Sequence, residues 1–248
     1  FNTLSAIKKA NGGSLKNYKV IYSNLYSKDV ANLKAFWAKR GFKPVFKSVT
    51  DDEAFLAQGD LVVSENSPTV KEILDFMMLW SDNVLADRLA GLAARAAGYS
   101  PNIKGIDTIF RTLLAQFEID DKKLFVADAS GLSKKNKITA KLMGELLYKI
   151  RKDEKYALLY ESLPIGGVSG TLQDRFTTTA PSAVGLVRAK TGTLNGTATL
   201  AGYVQSTDRE YVFVTLADDI AKGNAALNKA RAAIDRVLGR IAAPNIPA

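Results

Sequence analysis

Three rhythms of apolar residues succeed one another along this chain, and each change of rhythm predicts a change of architecture. In residues 1–66 short apolar runs flank one helical pattern. Lys19-Val20-Ile21-Tyr22 reads as a strand, residues 45–49 as another, and Leu61-Val62-Val63, closed by Ser64-Glu65-Asn66, as a third. Between the first two, residues 28–40 place Val30, Leu33, Phe36 and Trp37 at helical spacing, which predicts an amphipathic helix with those four inward, opened near Asp29 and ended by Gly41. The period then turns helical throughout. Ser67 as N-cap and Pro68 at the first helical position open a helix carrying Val70, Ile73, Leu74, Met77 and Met78 as far as Trp80. After Ser81-Asp82-Asn83 a second helix runs through Leu85, Leu89 and Leu92 to Gly98, and residues 104–118 and 139–151 predict two more. The third rhythm is alternation. Residues 186–190, 197–205 and 210–217 read as three strands with turns near Gly196 and at Thr207-Asp208-Arg209, an antiparallel meander. An Ala-rich amphipathic helix over 224–242 closes the chain. Helices followed by a meander and a terminal helix give an α+β fold, helices on an antiparallel sheet, with no internal repeat.

Composition narrows the chemistry more than the architecture. At 248 residues, 47% hydrophobic and 24% charged, the chain is long enough to bury a core and ordinary for a globular protein. No apolar run approaches the length of a membrane span, and the N-terminus lacks a signal-peptide pattern. There is no cysteine and no histidine. A thiolate nucleophile, a disulfide and a thiolate metal site are therefore excluded within this chain, as is a Ser-His-Asp triad; no metal site is expected. A proton shuttle here falls to Lys, Tyr or a carboxylate, and burial can bring a lysine into working range. The net charge of +9 is spread along the chain without a basic block, so no nucleic-acid arm is read; a solvated basic surface and attraction to a polyanionic envelope polymer both fit it.

Two short motifs carry candidate chemistry. Lys190-Thr191-Gly192, followed by Thr193, sits at what reads as the end of one strand and its turn into the next. It sets an ammonium, a hydroxyl and a residue without a side chain in a row, suited to lying beside an extended peptide and holding a carboxylate. Ser81-Asp82-Asn83 sits between two helices and taken alone reads as a helix cap. Together, 109 residues apart, the two match a known combination that also requires a Ser-x-x-Lys. The one such pattern near the start is Ser5-Ala6-Ile7-Lys8, where Lys9-Ala10-Asn11-Gly12-Gly13 is expected to end any helix at once.

Further segments point to one group. Asp128-Ala129-Ser130-Gly131-Leu132-Ser133, with Asn136 and Thr139 after it, and the glycine-rich run from Leu163 to Leu172 stand in the order found in that group. Over residues 67–242 the chain resembles the D-alanyl-D-alanine carboxypeptidase/endopeptidase family. These are low-molecular-mass penicillin-binding proteins with a large insertion between Ser-x-x-Lys and Ser-x-Asn. Ala129 stands where the family usually has Gly, and Ser169 where it usually has Asp. The resemblance implies a penicillin-recognising, β-lactamase/transpeptidase-like α+β domain. Residues 1–66 would be the end of the inserted domain and 67–248 the C-terminal part of the catalytic domain, helical over 67–160, with the sheet and terminal helix over 161–248. It implies acyl transfer through a serine ester on peptidoglycan stem peptides, β-lactam binding, no cofactor and an extracytoplasmic location. Ser81 would relay a proton to the leaving amine, Asn83 would bond the substrate backbone, and Lys190 would face the terminal carboxylate beside Thr191 and Thr193. The Thr193 N–H would serve as an oxyanion donor, and Gly192 would leave room for substrate. The nucleophile is not assigned: Ser5 with Lys8 departs from the family's arrangement, and the segment bearing the nucleophile is expected to lie outside this chain. A non-catalytic peptidoglycan-binding relative or inactive fragment and, third, a β-lactamase remain as other readings.

Overall fold

The computed structural model describes residues 2–16, 18–23, 25, 27–57 and 66–244, and the chain divides into two compact units, Phe1–Ser67 and Pro68–Ala248. The first unit holds α1 (Asn2–Ala10), β1 (Lys19–Tyr22), α2 (Ser27–Ala38), β2 (Val45–Ser48) and α3 (Asp51–Leu56). β1 and β2 pair in parallel, from Lys19 with Val45 to Tyr22 with Ser48, so α2 is the crossover that parallel pairing requires. Its small core is aromatic: Phe42 is buried against Tyr18 and Trp37, with ring centroids 5.7 and 5.1 Å away.

Two expectations need correcting in this unit, one helix was not expected, and one expected strand goes untested. Phe36 faces solvent instead of the core, where the Arg40 guanidinium covers its ring at 3.6 Å. α1 runs nine residues before Gly12 and Gly13 turn the backbone to positive φ, so the glycines end a formed helix instead of preventing one. α3 has no apolar period to announce it and rests on a capping box between Thr50 and Glu53. The strand expected at 61–63 lies outside the described residues.

The second unit contains α4 (Val70–Trp80), α5 (Asn83–Ala96), α6 (Ile103–Gln116), α7 (Ala140–Lys152), α8 (Ala157–Glu161), β3 (Val187–Leu194), β4 (Thr197–Gln205), β5 (Glu210–Ala217) and α9 (Asn224–Ala242). α4 starts later than Ser67-Pro68 suggests. Thr69 is the N-cap: its hydroxyl accepts from the Glu72 N–H while the Glu72 carboxylate accepts from the Thr69 N–H. That reciprocal pair satisfies two helix-end donors at once, which a Ser67 cap with Pro68 behind it does not.

The strands form an antiparallel sheet in the order β3-β4-β5, and β3 runs beyond its expected end, pairing Lys190 with Ala201, Gly192 with Thr199 and Leu194 with Thr197. Alternation sorts its side chains. Val187 and Ala189 point to one face and join Leu200, Val204, Ile234 and Leu238 in the main core beneath α9. Arg188 and Lys190 point to the other face, where Tyr203 on β4 donates to the Leu147 carbonyl of α7 at 2.8 Å. A separate core of Leu114, Ile119 and Leu142 holds the helices together.

Candidate active site

The Ser81-Asp82-Asn83 motif is divided by a helix boundary. Ser81 ends α4 in the left-handed region (φ 58°), its N–H donating to the Met77 carbonyl. Asp82 caps α5 by accepting from the Leu85 N–H at 2.9 Å, and Asn83 is the first residue of α5, exposed in the cleft. A left-handed serine costs on the order of 1 kcal/mol, and such strain persists where its surroundings dictate it. Here Gly170 supplies part of that constraint. It too has positive φ (57°), and a Cβ on it would stand 2.5 Å from the Leu79 carbonyl oxygen. Only a glycine lets this backbone lie against the end of α4.

Gly170 belongs to a strap, residues 162–172, that joins α4 to β3. At one end the buried Ser162 hydroxyl shares its one proton between Asp75 of α4 at 2.5 Å and Leu158 O at 2.7 Å. In the middle, Gly166 N–H donates to Val187 O and Ala189 N–H to Pro164 O. At the other end the Thr171 and Thr191 hydroxyls meet at 2.9 Å. The strap thus fixes the register between the helix that carries Ser81 and the strand that carries Lys190.

Lys190 Nζ donates to Ser81 Oγ at 2.6 Å and to Thr191 O at 3.0 Å. Burial pushes its pKa down to about 8, and both partners are neutral. An ammonium has three donors, so one is left for an incoming group. Gly192 carries the row onward, and a Cβ there would stand 2.2 Å from Thr199 Oγ1. Thr193 is exposed, and its hydroxyl accepts from Arg231 of α9 at 3.0 Å. Since the peptide groups of Val187 and Ala189 turn outward to the strap, alternation turns those of Thr191 and Thr193 to the same open edge.

The segment at 128–133 forms a rigid rim. Asp128 accepts from Gly131 N–H, Ser133 N–H and Asn136 Nδ2, and Asp87 of α5 accepts from the N–H groups of both Ala129 and Ser130 at 2.9 Å. Partial burial opposes ionisation of Asp128, but hydrogen bonds from Asn136 and the Ser133 and Gly131 backbone hold its pKa below the usual range. Lys134 then reaches the Asn195 carbonyl at 2.9 Å across the opening. Ser81, Asn83, Lys190, Thr191, Gly192 and Thr193 all line one cleft of about 1760 Å³ between the helices and the sheet. Ser5 lies in the other unit, exposed on α1. Sequence reading assigned no role to Thr171, Asp87 or Arg231. No local pattern marks the last, because Lys229, Arg236 and Arg240 carry the same charge on the same helix.

This fold is the penicillin-recognising α+β fold. The crystal structure of penicillin binding protein 4 (dacB) from Haemophilus influenzae superposes with a TM-score of 0.72 at 28% identity, over 85% of this chain and 47% of that one. Its complex with a novel β-lactam gives 0.70 at 28% identity, over 85% and 49%. Carboxypeptidase DacB of Mycolicibacterium smegmatis is 37% identical over 188 residues, 74% of this chain and 40% of the relative. The chain therefore spans less than half the length of these relatives. The D-Ala-D-Ala carboxypeptidase 3 (S13) family matches residues 20–241, and this chain belongs to it.

Proposed function

We propose that this chain supplies the substrate-binding half of a serine-type D-Ala-D-Ala carboxypeptidase/endopeptidase, which cleaves peptidoglycan stem peptides through an acyl-enzyme and binds β-lactams. The observation that carries the reading is the 2.6 Å bond between Lys190 Nζ and Ser81 Oγ, which joins residues 109 positions apart at one cleft. In this reading an extended peptide lies along the open edge of β3. Its terminal carboxylate meets the free donor of Lys190 and the Thr191 and Thr193 hydroxyls, and Asn83 bonds its backbone. The Ser81 hydroxyl, polarised by the ammonium, delivers the proton that the departing D-alanine nitrogen needs. The outward N–H of Thr193 stabilises the oxyanion. The nucleophilic serine and its lysine base complete the site and are not assigned to Ser5 and Lys8. The unit Phe1–Ser67 is read as the end of the family's inserted domain. The substrate places the protein outside the cytoplasm, and among the described residues no helix is long and apolar enough to cross a membrane.

The test is release of D-alanine from an N-acylated D-Ala-D-Ala peptide by the full-length protein, with Lys190→Ala alongside. Loss of 2–4 kcal/mol of transition-state binding, roughly a 30- to 1000-fold fall in kcat/KM, is expected. An unchanged kcat/KM would remove the role given to Lys190.

A further inference from the structure

Arg231 of α9 lines this cleft, and its charge is left uncompensated on its own helix. Its Nη2 donates to Thr193 Oγ1 at 3.0 Å and its Nη1 to Asn228 Oδ1 at 3.3 Å, both neutral acceptors. The natural counter-charge is Asp235, one helical turn further on. That carboxylate is almost fully buried and already taken. Arg175 grips both of its oxygens, and Thr179 Oγ1 donates to it at 3.1 Å. Arg175 also donates to the Arg231 carbonyl at 3.2 Å, which fixes the backbone from which Arg231 projects. Among the described residues no carboxylate lies within ion-pair distance of the Arg231 guanidinium.

The position of this charge is specific. Lys190 comes to the open edge of β3 from the helical face of the sheet, and Arg231 comes to it from the α9 face. The two cations thus flank Thr191–Thr193 from opposite sides, and both line the same cleft. A hydroxyl that accepts from a guanidinium has its own proton turned away from that donor and made more acidic. Thr193 is therefore set as a donor toward the cleft, with fixed positive charge behind it. A planar guanidinium also has donors to spare for a carboxylate.

We infer that Arg231 is a second anchor for the substrate's carboxylate, acting together with Thr193 from the opposite side of β3 to Lys190. The inference rests on the peptidase reading above and deepens it, since it assigns recognition of a free terminal carboxylate to two cations held by independent elements. A carboxylate on a β-lactam presents the same chemistry as one on a stem peptide.

The experiment compares an N-acylated D-Ala-D-Ala peptide with the same peptide ending in a carboxamide, using the full-length protein. In Arg231→Met, kcat/KM for the acid should fall at least about tenfold more than for the amide, mostly through KM, and Arg231→Lys should recover part of that preference. An unchanged melting temperature would show that the fold is intact. Equal losses on both peptides would make Arg231 merely structural and overturn the inference, as would no loss on either. Lys190→Ala separates the two levels of the argument. If it impairs turnover while Arg231→Met leaves the acid preference intact, only the anchor falls. If Lys190→Ala is silent too, the peptidase reading falls with it.

Discussion

Gly192 offers the sharpest quantitative test, because its neighbour is a single removable atom. A Cβ built on Gly192 stands 2.2 Å from Thr199 Oγ1, while the next atom, Thr199 Cβ, is at an ordinary 3.6 Å. Gly192→Ala must therefore displace the Thr199 hydroxyl and break its 3.3 Å bond to Gly192 O, or push the strands apart. Overpacking of this kind costs about 1–3 kcal/mol, offset in part by the roughly 0.5–1 kcal/mol that alanine gains over glycine in the unfolded chain. With Thr199→Ala already in place the clash is gone and only the gain remains. The two substitutions should then be coupled by about 2 kcal/mol in the favourable direction, whereas Thr199→Ala alone costs about 1 kcal/mol. Urea melts of the wild type, both single variants and the double variant measure the cycle. Additivity within about 0.5 kcal/mol would refute the assignment of Gly192 to steric necessity. Turnover should not recover with stability in the double variant, because the new methyl group would project on the Lys190 side of β3.

Other expectations follow from the same geometry. Ser81→Gly and Ser81→Ala both lose the hydroxyl, but glycine accepts φ of 58°, so the glycine variant should be about 1 kcal/mol more stable in denaturant melts while equally impaired in D-alanine release. With Lys190 held near pKa 8 by burial, its charge is present below that pH and lost above it, so binding of the peptide acid should weaken as pH rises through about 8, and binding of the amide should not. The same shift has the opposite sign for folding. Between about 8 and 10.5 the unfolded lysine binds the proton that the folded one has lost, so this residue adds stability as pH rises. Arg175→Met leaves Asp235 buried and unpaired and should cost about 3–5 kcal/mol, most of it recovered by adding Asp235→Leu, in a thermal or urea melt. Ser162→Ala should cost about 1–2 kcal/mol of stability yet leave labelling of the full-length protein by a fluorescent penicillin intact, since that serine is buried against Asp75.

What the sequence disclosed and what it concealed divide along contact range. The meander, α9 and the four main helices of the second unit were legible because each is written in a local period. The pairing of Ser81 with Lys190 was legible because two short motifs name it. Thr171, Asp87 and Arg231 were not, since each acquires its role from a partner 20 to 43 residues away and has no local pattern of its own. The start of α4 was misplaced for a subtler reason: Ser67-Pro68 and Thr69 with Glu72 are competing caps two residues apart, and only the second satisfies donors in both directions. Phe36 shows the remaining failure, a side chain at core spacing that finds an arginine before it finds a core.

The outer edge of β3 has one consequence unrelated to chemistry. An unpaired strand edge recruits other chains as readily as substrate, and a row of free peptide groups is the usual seed of self-association. Here the strap occupies the edge as far as Ala189, with Pro164 contributing its carbonyl and offering no N–H of its own for a further strand. What stays open is residues 190–194, guarded by the Lys190 ammonium. That is long enough to hold the end of one peptide and too short to nucleate a growing sheet. Substitutions that loosen the strap should therefore lower solubility before they lower stability, with turbidity on concentration as the first symptom.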